Sequence, residues 1–253
     1  MNDKVGQYIF KVETFHCDCN GRFFLGQLGN QLLNAADQHS AERSFGMNTL
    51  NPIHKTWVLS RMALEINEMP CAYTPLFIET WVESAMKYFT NRNFAISNAE
   101  DGRIYGYART IWAMIDTQTR QPTNILDIND GQITHYIETQ KPCPIKPPSR
   151  VKINENIPLV RTLQAQYSDI DVNGHVNSIK YIDHILDLMP IQWHQTHRIQ
   201  RLEMAYVAEG HPNEQLDLYF DNDERNNICS AKMQHQQKEL CRCAISSVTS
   251  HEQ

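Results

Sequence analysis

Hydrophobic residues recur along this chain at two spacings, and each spacing marks a kind of element. Between residues 24 and 45, Leu25, Leu28, Leu32, Ala35, Ala36 and His39 fall at three- and four-residue steps. That predicts a long, mostly buried helix, closed by Gly46. Ahead of it, residues 8–16 are rich in β-branched and aromatic types and read as a first strand, with a turn at Asn20-Gly21. Beyond Pro52, strand-like segments follow in quick succession at 57–66, 75–84, 87–97 and 103–116, with Glu100-Asp101-Gly102 as a tight turn between the last two.

The same order then returns. A strand at 159–167 leads to a helix after His175, in which Ile179, Ile182, Ile185, Leu186 and Met189 form one apolar stripe and Pro190 ends it. Strands follow near 199–209, 214–221, 227–235 and 239–249. Pro142, Pro144, Pro147, Pro148 and Pro158 make 139–158 an extended linker between the copies. The predicted organisation is a first unit at 1–138, the linker at 139–158, and a second unit at 159–253. A long helix followed by an antiparallel meander buries its stripe on the sheet, which places the chain in the α+β class. Two independent α+β domains are the competing reading.

At 253 residues, with 41% apolar and 9% aromatic content, the chain can bury a substantial core. No stretch approaches the ~18 consecutive apolar residues of a membrane-spanning helix. The first residues lack an export pattern, so a cytoplasmic protein without membrane insertion is expected. The formal charge of −6 argues against general nucleic-acid affinity, and an acidic partner would need a local basic patch. Cys17, Cys19, Cys71, Cys143, Cys229, Cys241 and Cys243 are odd in number and lack zinc-site spacing; free thiols in strands are expected, with no metal.

The densest chemistry lies in residues 167–182. Asp171, Asn173 and His175 stand at every second position, which would put three polar heads on one side of an extended segment ahead of the second helix. A helix start offers unpaired N–H groups and partial positive charge to a developing oxyanion. The same residue types also serve as ordinary helix caps.

The run Asp169-Ile170-Asp171-Val172-Asn173-Gly174-His175-Val176-Asn177 resembles the signature of acyl-acyl-carrier-protein thioesterases. Trp57-Val58-Leu59-Ser60-Arg61, Ile78-Glu79-Thr80-Trp81 and Ala205-Tyr206-Val207-Ala208-Glu209 match that family in the same order, over nearly the whole chain. The resemblance implies a tandem hot-dog fold. It implies release of free fatty acid from acyl carrier protein in fatty acid biosynthesis, and no cofactor. It makes Asp171, Asn173, His175 and Glu209 the active site, with Glu203 and Glu214 as alternatives for the carboxylate. A nucleophilic cysteine beside the glutamate, assigned in some accounts of the family, has no counterpart here, because that place is Gly210. Hydrolysis by activated water is left.

The resemblance also places the acyl tail in a slot between helix and sheet of the first unit, with Met62, Leu64, Phe77, Trp81 and Trp112 as candidate lining. The polar Gln27, Gln31, Asn34 and Asp37 interrupt that helix. For the carrier protein and its 4′-phosphopantetheine arm, Lys141, Lys146, Arg150, Lys152, Arg198 and Arg201 are the basic candidates. Acyl-coenzyme A hydrolysis, a hydratase and a non-catalytic acyl-binding module are the competing functions. Association into a homodimer and the acyl length are left open by the sequence.

Overall fold

The computed structural model describes residues 3–249. The chain divides into two compact units, one of residues 1–60 and 66–147, the other of residues 61–65 and 148–253.

In the first unit β1 (Val5–Lys11), β3 (Pro75–Ala85), β4 (Phe89–Asn98), β5 (Ile104–Asp116) and most of β2 (Lys55–Ile66) form an antiparallel sheet in the order β1-β3-β4-β5-β2. The helix α1 (Leu25–Ala41) packs on β1 and β3 and buries Leu25, Leu28, Leu32, Ala35, Ala36 and His39, the predicted stripe. Gln27 and Gln31 are half-buried, and Asn34 and Asp37 point to solvent. Gly46 does not close this helix. Ser44 takes the left-handed conformation at φ 62°, and Ser44 N–H and Phe45 N–H bond back to the carbonyls of Ala41 and Ser40. Gly46 instead opens the short helix α2 (Met47–Leu50), and a Cβ there would meet Ala41 Cα at 2.7 Å. A satellite core of Phe45, Leu50, Met114, Ile125, Ile128 and Ile133 lies beyond it.

The predicted first strand at 8–16 sits earlier, at Val5–Lys11, and Thr14–His16 is a 3-10 turn. The hairpin at Glu100-Asp101-Gly102 forms as expected, with Gly102 at φ 73° and Arg103 N–H on Asp101 Oδ1 at 2.8 Å.

In the second unit, Arg61–Glu65 of β2 pairs with β7 (His197–Tyr206). The order continues through β10 (Lys238–Thr249), β9 (Ile228–His235), β8 (Gln215–Asp223) and the edge strand β6 (Leu159–Gln164), all antiparallel. Helix α3 (Ser178–Leu186) has 9 residues against the 17 of α1. It buries Ile179, Tyr181, Ile182 and Ile185, and each isoleucine contributes about 1.5–3 kcal/mol by leaving water. Tyr206 Oη donates to Ser178 O at 2.9 Å and tethers α3 to β7. The stripe residue Met189 falls outside α3, and Pro190 caps a further helix, α4 (Ile191–Thr196).

Residues 139–158 contain no regular element, yet they are anchored. Ile145, Val151 and Ile157 are buried, Lys141 pairs with Glu79 at 2.8 Å, and Arg109 donates to Ile145 O at 3.1 Å.

Candidate active site

Asp171, Asn173 and His175 do not line an extended segment. Gly174 takes φ 79° and turns the chain, so that Asp171 N–H donates to His175 O at 2.9 Å and Gly174 N–H to Asp171 O at 3.0 Å. The Asp171 carboxylate fills this turn. Its Oδ1 accepts the main-chain N–H of Asn173 at 2.8 Å and of His175 at 3.3 Å, and Oδ2 meets Asn173 Nδ2 at 3.5 Å. Short acceptor side chains do this to their own backbone, which is why Asp and Asn favour turns. Helix α3 starts only at Ser178, where Asn177 Oδ1 already accepts the Ile179 N–H at 2.8 Å. The polar cluster is therefore a separate turn ahead of the helix rather than its first turn.

Glu209 is not on a strand, although the strand predicted near 199–209 reached it, because β7 ends at Tyr206. It lies in the connection to β8, and three hydrogen bonds fix that connection. Val176 N–H donates to Gly210 O at 2.9 Å, Gly210 N–H to Tyr181 Oη at 2.9 Å, and Lys238 Nζ to Glu209 O at 2.8 Å. Burial raises the Tyr181 hydroxyl well above the usual phenol range, so it stays protonated. The result brings Glu209 Oε1 to 3.6 Å from His175 Nδ1, with side chains 28% and 23% exposed. An imidazole beside a carboxylate is a pairing of groups suited to accept and pass on a proton.

The alternative carboxylates are engaged elsewhere. Glu203 accepts from Ser149 N–H at 3.0 Å, from Ser149 Oγ, and from Arg201 Nε at 2.7 Å. Burial alone would raise its carboxyl, but these bonds outweigh that and hold it below the usual range. Glu214 accepts the His211 N–H at 2.8 Å. His211 is a site residue that sequence reasoning missed. Its ring stands edge-on to His175, with centroids 5.1 Å apart and planes at 73°. The only signal was its spacing in Glu209-Gly210-His211, which says nothing of a turn far away in sequence.

The first unit contains the same turn. Asp18 Oδ1 accepts the N–H groups of Asn20 at 2.8 Å and Arg22 at 3.0 Å, Oδ2 meets Asn20 Nδ2 at 3.5 Å, and Gly21 has φ 71°. Phe23 N–H donates to Pro70 O at 2.8 Å, as Val176 does to Gly210. In this register Arg22 occupies the place of His175, Met69 that of Glu209 and Cys71 that of His211. The frame is duplicated, but the histidines and the glutamate occur in one copy.

The expected lining residues divide. In the second unit Met62 and Leu64 are buried opposite Met204 and Leu202, on the face of Tyr206 that meets α3. In the first unit, Arg92 bridges Thr80 Oγ1 and Ser40 Oγ of α1 at 3.1 Å each, which identifies the helix side of the sheet. Trp112 shares that side, its Nε1 donating to Thr110 Oγ1 at 2.8 Å, and Thr110 is the register partner of Arg92. Phe77 and Trp81 stand one residue out of phase with Thr80. They face the opposite side, where Lys141 lies 5.2 Å over the Trp81 ring. They cannot line a slot between α1 and the sheet.

Among the basic candidates Lys146, Arg150 and Lys152 are exposed and Arg198 is half-buried. Arg201 is committed to Glu65 and Glu203, which removes it as a docking cation, and Lys141 is paired with Glu79. All seven cysteines are free. Only Cys229, Cys241 and Cys243 lie in strands, the other four being in loops. Burial pushes the Cys229 thiol up to about 11 and raises Cys241 and Cys243 as well. Among the described residues, no group of three or more His, Cys, Asp or Glu is placed to hold a metal ion.

Comparison with known proteins gives the family. Residues 3–130 match the acyl-ACP thioesterase N-terminal domain and residues 154–248 the C-terminal domain. An acyl-ACP thioesterase structure from Bacteroides thetaiotaomicron superposes with a TM-score of 0.89 at 47% identity, over 97% of this chain and 98% of that one. The 12:0-ACP thioesterase from Umbellularia californica, at 18% identity, shares the fold alone, with a TM-score of 0.86 over 99% of each chain. The oleoyl-acyl carrier protein thioesterase 2 of Arabidopsis thaliana is 24% identical over 241 residues, 87% of this chain and 64% of that protein. The palmitoyl-acyl carrier protein thioesterase of Gossypium hirsutum is 29% identical over 156 residues, 60% of this chain and 38% of that protein. The chain thus spans less than two thirds of the length of these two plant relatives. It has the double hot-dog fold and belongs to the acyl-ACP thioesterase family.

Proposed function

We propose that this protein hydrolyses the thioester of fatty acyl-acyl carrier protein to free fatty acid and holo-carrier protein. The observation that carries the reading is the approach of Glu209 to His175 in a family whose members act on such thioesters. Glu209 takes a proton from water as it attacks the carbonyl carbon. Asn173 and His175 face the carbonyl oxygen as it gains charge, and Asp171 sets both through their main-chain N–H groups. Collapse of the tetrahedral intermediate breaks the C–S bond, and the departing pantetheine thiolate takes up a proton. Gly210 stands where a covalent route would need a thiol, so no acyl-cysteine forms beside Glu209. Lys146 and Arg150 supply cations for an acidic carrier, and free buried thiols suit a reducing, cytoplasmic setting.

The test is free-thiol release from a panel of acyl chains on carrier protein and on coenzyme A. Carrier thioesters should turn over with the higher kcat/KM, and Glu209→Ala should abolish release while the melting temperature holds. Lys146→Glu with Arg150→Glu should raise KM for the carrier substrate far more than for a small pantetheine thioester. Preference for coenzyme A thioesters, or full turnover in Glu209→Ala, would defeat the reading.

A further inference from the structure

We propose that His211 is a positioning residue for His175, fixing the plane in which that imidazole meets Glu209. The inference rests on the hydrolytic reading above and adds a residue to its machinery.

His175 Nδ1 lies 3.6 Å from Glu209 Oε1. A second contact to the same ring comes from the edge of His211, at 5.1 Å and 73°, the arrangement aromatic rings prefer. His211 is itself well held. Gly210 N–H bonds to Tyr181 on one side, and the His211 N–H bonds to Glu214 Oε2 on the other, while Glu214 Oε1 lies 3.9 Å from His235 Nε2. An exposed histidine thus rests on a hydrogen-bonded main chain, against the imidazole that faces Glu209.

The duplicated turn offers a comparison within the chain. Asp18, Asn20 and Gly21 repeat Asp171, Asn173 and Gly174 bond for bond, so those types build the frame whether or not chemistry is present. The places that differ include Arg22 for His175, Met69 for Glu209 and Cys71 for His211, as well as Cys19 for Val172, Phe23 for Val176 and Pro70 for Gly210. The first copy thus keeps the turn but holds neither the pair of imidazoles nor the carboxylate.

The experiment uses the full-length protein with His211→Ala and His211→Phe, the second keeping a ring edge without a proton to give. His211→Ala should lower kcat about tenfold with KM within about twofold, since a misplaced group costs the transition state rather than binding. His211→Phe should recover most of that kcat, and both melting temperatures should match the parent. If His211→Ala melts early, His211→Asn takes its place with the same expected loss. Parent-like kcat on removing the ring, or His211→Phe as slow as His211→Ala, would overturn the proposal. Glu209→Gln, assayed alongside, separates the two readings. An inactive Glu209→Gln beside an unaffected His211→Ala removes this inference alone, whereas full turnover in Glu209→Gln removes the hydrolytic reading.

Discussion

Gly210 donates its N–H to Tyr181 Oη at 2.9 Å, and a Cβ built on Gly210 would lie 2.8 Å from that same oxygen. Val176 Cγ2 at 3.1 Å and Leu240 Cδ1 at 3.4 Å close the remaining space. A side chain beside the candidate base is therefore excluded by packing as well as absent from the sequence.

Gly210→Ala or Gly210→Cys should cost about 1–3 kcal/mol through overpacking, read as a fall of a few degrees in melting temperature. Turnover should fall too, because the connection that carries Glu209 must shift. Combined with Tyr181→Phe, which removes the crowded oxygen, Gly210→Ala should cost clearly less than the sum of the two single changes. Strict additivity would show that Tyr181 is not what the Cβ meets.

Glu203 and Glu209 provide a matched pair of carboxylates. Glu203→Gln removes the charge and replaces one of the two oxygens that accept from Ser149 and Arg201 by a donor, so we expect stability to fall by about 1–3 kcal/mol with kcat nearly kept. Glu209→Gln should do the reverse, lowering kcat by at least about a hundredfold at parent-like stability. Urea titration with steady-state kinetics on both variants checks the contrast, and exchanged phenotypes would move the base to Glu203.

Thiol chemistry should be dispensable. Cys19 and Cys71 are exposed, whereas Cys229, Cys241 and Cys243 are buried with raised thiols. Brief alkylation at neutral pH should label the first two, seen by mass spectrometry, and leave thioester hydrolysis intact. Loss of activity in step with one modified cysteine would restore a covalent route.

His39 ties the stability of the first unit to pH. Burial, with Arg92 and Arg43 nearby, lowers its imidazole from 6.5 to about 2, and Nε2 faces Lys4 O at 3.2 Å. The unfolded chain takes up this proton near 6.5 and the folded chain only near 2. The stabilising contribution is thus complete above about 6.5. It falls by up to ~1.4 kcal/mol per pH unit below that, levelling off near 2. Unfolding free energies at pH 7.5 and 5.5 should therefore diverge more for the parent than for His39→Gln. Equal pH slopes would show that His39 does not carry the dependence.

Much of the architecture was legible from the chain because it rests on local periodicity. The strands at 57–66 and 103–116 and the α1 stripe appear nearly as read, since a period of two or 3.6 is fixed by backbone geometry. Element ends were less legible. Ser44 performs the capping expected of Gly46, because a tertiary approach to Ala41 decides where a glycine is required. The segment at Asp171 turns rather than extends, because its internal hydrogen bonds outweigh the alternating pattern.

The sequence by itself determined the repeat and the class of the main strands and helices, because local periodicity is written in it, and its family resemblance pointed to Asp171, Asn173, His175 and Glu209. Only the tertiary structure decided that Phe77 and Trp81 face away from α1, that Glu203 is tied to Ser149 and Arg201, and that His211 leans on His175. Those relationships depend on strand phase and on where a chain lands after leaving a strand. They are set by hydrogen bonds and packing between segments far apart in the sequence, which no local spacing encodes.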